Sequence, residues 1–285
     1  MENQIMKDSD MTVCIASIAQ GGYLLAASDR MLSESSIKFE PQTSKIISLT
    51  DSILLMTAGD VSLQSEILGY MKEYIENKKN ENDSIADFYV TELANHYSLI
   101  YDYIRKQRMT KKILSPYGLT TETFLEKQHT LSKDFITDIS WKMSNYTISS
   151  PVSALVAGID SRGTHIYTIV DNDVRCSSSL GFSAIGEGWS HAHSQFVLAK
   201  HDSESSLEDS ILLTYLAKKR SEVAPSVGQE TDFWLIDPHR KNSSSIRDDL
   251  KKALELEYIK MTKGEQKAFS SAKSGVKTFI ENILH

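Results

Sequence analysis

Residues 12–30 read TVCIASIAQGGYLLAASDR, and the reading of this stretch decides the fold. Two short apolar runs, 13–19 and 23–28, flank Gly21-Gly22. A glycine pair supplies the positive φ that a tight turn needs, so the stretch predicts an antiparallel hairpin. Immediately outward, 45–49 (KIISL) and 53–58 (ILLMTA) flank Asp51-Ser52 and predict a second strand pair. Both of its members are nearly continuously apolar, as strands covered on two faces are.

The period then changes. From Asp60, read as an N-cap, apolar residues fall at Leu63, Ile67, Leu68, Met71, Tyr74 and Ile75, which is helical spacing. A second helix is predicted from the Ser84-x-x-Asp87 capping box, with the stripe Ile85, Phe88, Tyr89, Leu93, Tyr97, Ile100 and Ile104. Residues 109–150 break this order. Pro116-Tyr117-Gly118 interrupts the chain, and 121–143 reads as one further helix. Strands are expected at 153–160, 164–170, near Arg175 and at 182–185, then helices at about 188–201 and 206–222, then a strand at 232–236. Beyond Pro238 the pattern is charged and helical, with Ile246, Leu250, Leu254 and Ile259 on one face. Strands, two helices, strands, two helices and a strand suggest two sheets between helical layers.

Composition bounds the function. The chain has 285 residues, enough for one large core. Lys and Arg total 31 against 38 Asp and Glu, a net charge of −7, so nucleic acid is not the expected partner. No apolar run approaches the roughly 18–20 residues of a membrane span, and 1–11 (MENQIMKDSDM) has no apolar core of a signal peptide. A cytoplasmic protein is expected. Cys14 and Cys176 are too few for a disulfide framework, and His191 and His193, two apart on a helix, face different ways, so no metal and no cofactor are expected. The runs Arg105-Lys106, Lys111-Lys112 and Lys218-Lys219-Arg220 read as solvated helix faces.

One set of residues is chemically coherent. Thr12 stands at the mouth of the first strand, Asp29 at the end of the second, Lys45 at the start of the third and Gly59 after the fourth. Strand ends at one edge converge, so a hydroxyl, a carboxylate, an ammonium and a backbone N–H at a helix start would meet. A threonine hydroxyl is a weak nucleophile that needs a base beside it. If Thr12 is a chain terminus, its α-amine serves, with an unperturbed pKa of about 8. The Lys45 ammonium would lower that amine's pKa, Asp29 would fix the lysine, and the Gly59 N–H would hold an oxyanion. Each element also has a plain structural reading: a β-branched strand residue, a surface Asp-Arg turn, a solvated lysine and a tight strand-to-helix junction. Cys14, on the same face as Thr12, reads as core.

Residues 12–30 with SKIISL and ILLMTAGD resemble the N-terminal third of proteasome β-type subunits, which are N-terminal-nucleophile hydrolases. The Thr-x-Cys opening, ASD, the Gly-Glu of 186–187 and the Ser-Val-Gly of 226–228 are most similar to the bacterial ancestral-β-subunit (Anbu) group, and 157–169 resembles the family's central strand pair. The resemblance spans 12–100 and 152–237, with one extra residue near Gly21-Gly22. It implies a four-layer αββα sandwich (an α+β fold) over 12–237; the insert at about 109–150, read as helical, and the C-terminal helices of a 238–285 extension fall outside the usual family core. It also implies Thr12 as nucleophile, Asp29 and Lys45 as its supporting pair, and Gly59 as oxyanion donor. Glu187 stands between glycines where catalytic subunits usually have serine, and becomes a substitute hydrogen-bond partner. Ser226 is the candidate for the supporting serine and Glu222 for the supporting acid.

The function implied is a threonine peptidase that works through an acyl-enzyme. Its expected partners are a polypeptide or peptide substrate and further copies of itself in a ring or spiral, with an unfoldase left open. Residues 1–11 must then be absent from the working chain. They are either a propeptide or an untranslated leader ahead of Met11, the second being favoured. The alternatives are an inactive proteasome-like scaffold or gate that keeps the leader, and an amide hydrolase of small molecules.

Overall fold

The computed structural model describes residues 12–34, 37–39, 44–81, 87–148 and 152–284; the expected leader, Ser84 and Ile85 lie outside them. The predicted hairpin is β1 (Cys14–Ala19) with β2 (Tyr23–Ser28), in a register that sets Cys14 opposite Ser28 and Ile18 opposite Leu24. Its link is a 3-10 turn in which Gly21 and Gly22 take φ of +78° and +82°, the left-handed region that favours glycine. A two-stranded ribbon follows, β3 (Leu32–Glu34) with β4 (Ile37–Phe39). The second predicted pair is β5 (Ile46–Thr50) with β6 (Ile53–Gly59).

Asp60 caps the next helix, α1 (Val61–Glu81), its carboxylate accepting from the Leu63 N–H at 2.7 Å. The second helix, α2 (Val90–Met109), starts later than its sequence pattern predicts, and Phe88 and Tyr89 precede it. Its cap is not local. Asp160, at the end of β7 (Val152–Asp160), accepts from the Val90 N–H at 2.9 Å and also from Arg162 in the adjoining turn. Between α2 and β7 the single helix expected at 121–143 is two, α3 (Thr121–Glu126) and α4 (Lys133–Ser144). Thr120 and Ser132 each cap one through a side-chain oxygen, so the second cap interrupts the period. This insert has its own small core of Leu114, Leu119, Phe124 and Ile139.

The remaining elements fall where expected: β8 (Gly163–Val170), β9 (Asp173–Cys176), β10 (Phe182–Ile185), α5 (Trp189–Ala199), α6 (Leu207–Ser221) and β11 (Asp232–Asp237). A short strand that the sequence pattern misses, β12 (Asn242–Ser245), precedes α7 (Asp248–Leu284). The predicted C-terminal helices are thus one continuous helix, with Leu250 and Ile259 exposed. The chain divides into two compact units, one through Ser243 and one from Ser244 onward.

The fold is mixed α+β with two antiparallel five-stranded sheets, ordered β10-β1-β2-β11-β12 and β5-β6-β7-β8-β9. Alternation along the strands sorts their side chains. Cys14, Ala16, Ile18, Leu24 and Ala26 of the first sheet share one apolar cluster with Ile46, Leu54, Met56, Ala58, Leu155 and Ala157 of the second. The opposite residues of the second sheet, among them Ile53, Leu55, Ala154 and Val156, pack on α1 and α2. On the far side of the first sheet lie α5 and α6. There Ser17 and Thr214 share a buried hydrogen bond of 2.7 Å, and Phe182 stacks on Phe196. The basic run on α6 departs from its solvated reading: the Lys218 side chain has no solvent exposure and that of Lys219 has only 12%, both pairing with Glu222.

Candidate active site

Thr12 precedes β1 and falls on the same side of the strand as Cys14, the side that faces the second sheet. The hairpin register brings Asp29 beside it: the Asp29 N–H donates to the Val13 carbonyl at 3.3 Å, and the Val13 N–H donates to Asp29 Oδ1 at 2.9 Å. Lys45 comes from the other sheet, one residue before β5. The three side chains meet. Thr12 Oγ1 donates to Asp29 Oδ1 and accepts from Lys45 Nζ, both at close range. The ammonium also lies 3.1 Å and 3.2 Å from the two carboxylate oxygens.

This cluster is almost dry. Asp29 has no exposure, Thr12 has 2%, and the Lys45 side chain has 10%. A carboxylate in such a place needs a full set of donors. Asp29 has the hydroxyl, the ammonium and three backbone N–H groups, from Val13, from Met31 at 2.8 Å and from Gly228 at 3.1 Å. The chemical outcome is a polarised hydroxyl, its proton aimed at a carboxylate and a lone pair aimed at a cation. Burial pushes the neighbouring Cys14 thiol up to about 12, a shift that Lys45 opposes. It stays protonated near neutral pH and donates weakly to the Thr57 carbonyl at 3.7 Å, which fits its reading as core.

The glycines of 186–188 matter more than the residue between them. Gly186 has φ of +84°, and a Cβ there would come within 2.4 Å of the Thr12 carbonyl oxygen. The Gly188 N–H donates to that same oxygen at 3.2 Å, and the Gly188 carbonyl accepts from Ser221 Oγ at 3.1 Å. These contacts fix the Thr12 main chain. Glu187 itself is exposed, and its side chain joins no hydrogen bond with the cluster among the described residues.

Gly59 ends β6 with φ of +114°, two residues past Thr57, whose carbonyl touches Cys14. Its own carbonyl accepts from Gln64 Nε2 at 2.9 Å. Ser226 is buried, and its Oγ has no hydrogen-bond partner among the described residues. Glu222 is not directed at Thr12; it pairs with Lys218 at 2.6 Å and Lys219 at 3.0 Å. The backbone donors Met31 and Gly228 escape sequence reasoning, since an N–H has no side-chain signature. The Ser-Val-Gly motif marks the segment whose Gly228 N–H reaches Asp29. Arg30 turns away and pairs with Asp232 on β11, with Nε at 2.9 Å. Among the described residues no group of three or more His, Cys, Asp or Glu side chains could hold a metal.

No family model matches the sequence, and no curated protein matches it significantly.

Proposed function

We propose that the chain is a threonine-type N-terminal-nucleophile hydrolase with the four-layer αββα architecture of proteasome β-type subunits, cleaving peptide bonds as a cytoplasmic homo-oligomer. The observation that carries this reading is the Thr12 hydroxyl held between the Asp29 carboxylate and the Lys45 ammonium. The two sheets with shared apolar faces and helices against their outer sides support the architecture.

In this reading the residues before Thr12 are removed, and the freed α-amine takes the hydroxyl proton as Oγ1 attacks the substrate carbonyl. Lys45 stabilises the charge that develops, and the Gly59 N–H receives the oxyanion. Collapse of the tetrahedral intermediate breaks the C–N bond, and the departing amine takes the proton from the α-ammonium. The product is an ester on Thr12. Water, losing a proton to the α-amine, then attacks the ester and releases the acid, restoring the hydroxyl.

Turnover of an unfolded polypeptide, short peptides and simple acyl-amides by the parent chain and by Thr12→Ala tests this. Hydrolysis of the first two, lost in Thr12→Ala and accompanied by an intact mass with Thr12 as first residue, is the expected result. Equal turnover by the variant removes Thr12 from the chemistry. A purified chain that retains 1–11 and hydrolyses nothing would make it a scaffold.

A further inference from the structure

Helix α6 carries an ammonium that its surroundings treat as a structural anchor. The Lys218 side chain is wholly buried, and its three N–H groups find three acceptors: Glu222 Oε1 at 2.6 Å, the Gly228 carbonyl at 3.0 Å and the Gln229 carbonyl at 2.9 Å. An ammonium has three donors and no acceptor, so the set is complete. Burial lowers the lysine's proton affinity, while Glu222 and, more weakly, Asp29 oppose that shift. An apolar side chain would fill the inner side of α6 without this desolvation, so packing alone does not account for a lysine here.

The segment that Lys218 grips also contacts the Thr12 cluster. Gly228 gives its carbonyl to Lys218 and its N–H to Asp29 Oδ2 at 3.1 Å. Asp29 in turn accepts from Thr12 and Lys45. A continuous series of hydrogen bonds therefore runs from α6 to the hydroxyl. We propose that Lys218 is a positioning residue for Thr12: by clamping the Gly228 and Gln229 carbonyls it presses the Gly228 N–H onto Asp29, and Asp29 then holds the Thr12 hydroxyl in line. The proposal rests on Thr12 being the nucleophile. Glu222 serves as the counter-ion of this clamp.

The test is a double-mutant cycle in the full chain, with Lys218→Met as one arm and Gly228→Pro, which deletes the N–H, as the other. Steady-state kcat and KM on a peptide substrate are read beside the thermal midpoint. Each single variant is expected to lower kcat about tenfold or more, with KM within about twofold, because small displacements at a reacting centre fall on the chemical step. The double variant is expected to be no slower than the slower single one, as two breaks in one series should be. Ile100→Ala, in the core between the second sheet and α2, serves as the control for general destabilisation: its midpoint falls while its kcat holds.

A Lys218→Met enzyme with parental kcat, or a double variant whose loss is the product of the two single losses, overturns the proposal. If Lys218→Met does not fold, Gly228→Pro reads the same link alone, and a parental kcat there has the same force. Thr12→Ala separates this from the underlying reading. Turnover that survives Thr12→Ala removes the nucleophile and the clamp's role with it. Turnover lost in Thr12→Ala but intact in both other variants removes only the clamp.

Discussion

The Lys45 ammonium sits almost equidistant from both oxygens of the Asp29 carboxylate, at 3.1 Å and 3.2 Å, although Asp29 follows a strand of one sheet and Lys45 precedes a strand of the other. The pair therefore ties the sheets together at the end where Thr12 lies. Removing one partner strands the other. Lys45→Met should leave a fully buried carboxylate with no counter-ion, held by the Thr12 hydroxyl and backbone donors, and cost about 3–5 kcal/mol, read from urea unfolding. A Lys45→Met/Asp29→Leu chain should regain part of that loss, since an apolar pair leaves no uncompensated charge. Turnover should be lost in both.

Gly186→Ala should lower both stability and turnover. Its Cβ would overlap the Thr12 carbonyl oxygen, at a φ of +84° that disfavours any side chain. We expect a loss of about 1–3 kcal/mol and at least a tenfold fall in kcat, because the atom that must give way belongs to the nucleophile. Gly118→Ala, at φ of +68° but in open space, should cost about 1 kcal/mol and leave kcat unchanged.

The two thiols should react very differently. Burial holds the Cys14 thiol at about 12 and screens it from reagents. Exposed Cys176 is shifted down: burial opposes the shift, but hydrogen bonds from the Ser178 hydroxyl and backbone and from Tyr167 outweigh it. Titration with a disulfide reagent at pH 8 should find one fast thiol per native chain and two in urea. Two fast thiols in the native protein would contradict the burial of Cys14.

Mild acid should weaken the fold through His193. Burial lowers its pKa; it accepts from the Ala184 N–H at 3.0 Å and packs between Trp189 and Phe182. A folded pKa below the unfolded value of about 6.5 means that the unfolded chain takes up the proton first. Stability from this group is complete above about pH 6.5 and is lost as the pH falls through the folded value. Thermal midpoints between pH 7.5 and 5 should decline, and His193→Gln should flatten the decline. His96 and His201, also lowered by burial, leave a residual slope.

What was legible in the sequence was local. Gly21-Gly22 between two apolar runs specifies its hairpin because turn chemistry and strand pattern agree within a few residues. The hairpin register then carries Asp29 to Thr12, so those residues could be named from the sequence together with Lys45. The start of α2 could not be read, for its cap comes from Asp160, 70 residues away. Residues 121–143 kept a helical period across a break that Ser132 imposes as a cap. Lys218 looked solvated because a run of three basic residues usually is. Only the return of Gly228 and Gln229 past α6 adds two carbonyl acceptors to Glu222 and completes the set for that ammonium.

Covalent labelling with a hydroxyl-reactive β-lactone, followed by peptide mass mapping, bears most directly on the nucleophile. The account predicts a single ester adduct on Thr12 of a chain whose first residue is Thr12, absent in Thr12→Ala and strongly slowed in Lys45→Met. An adduct on any other residue, or an unmodified Thr12 at the terminus of a chain that turns over peptide, would contradict it.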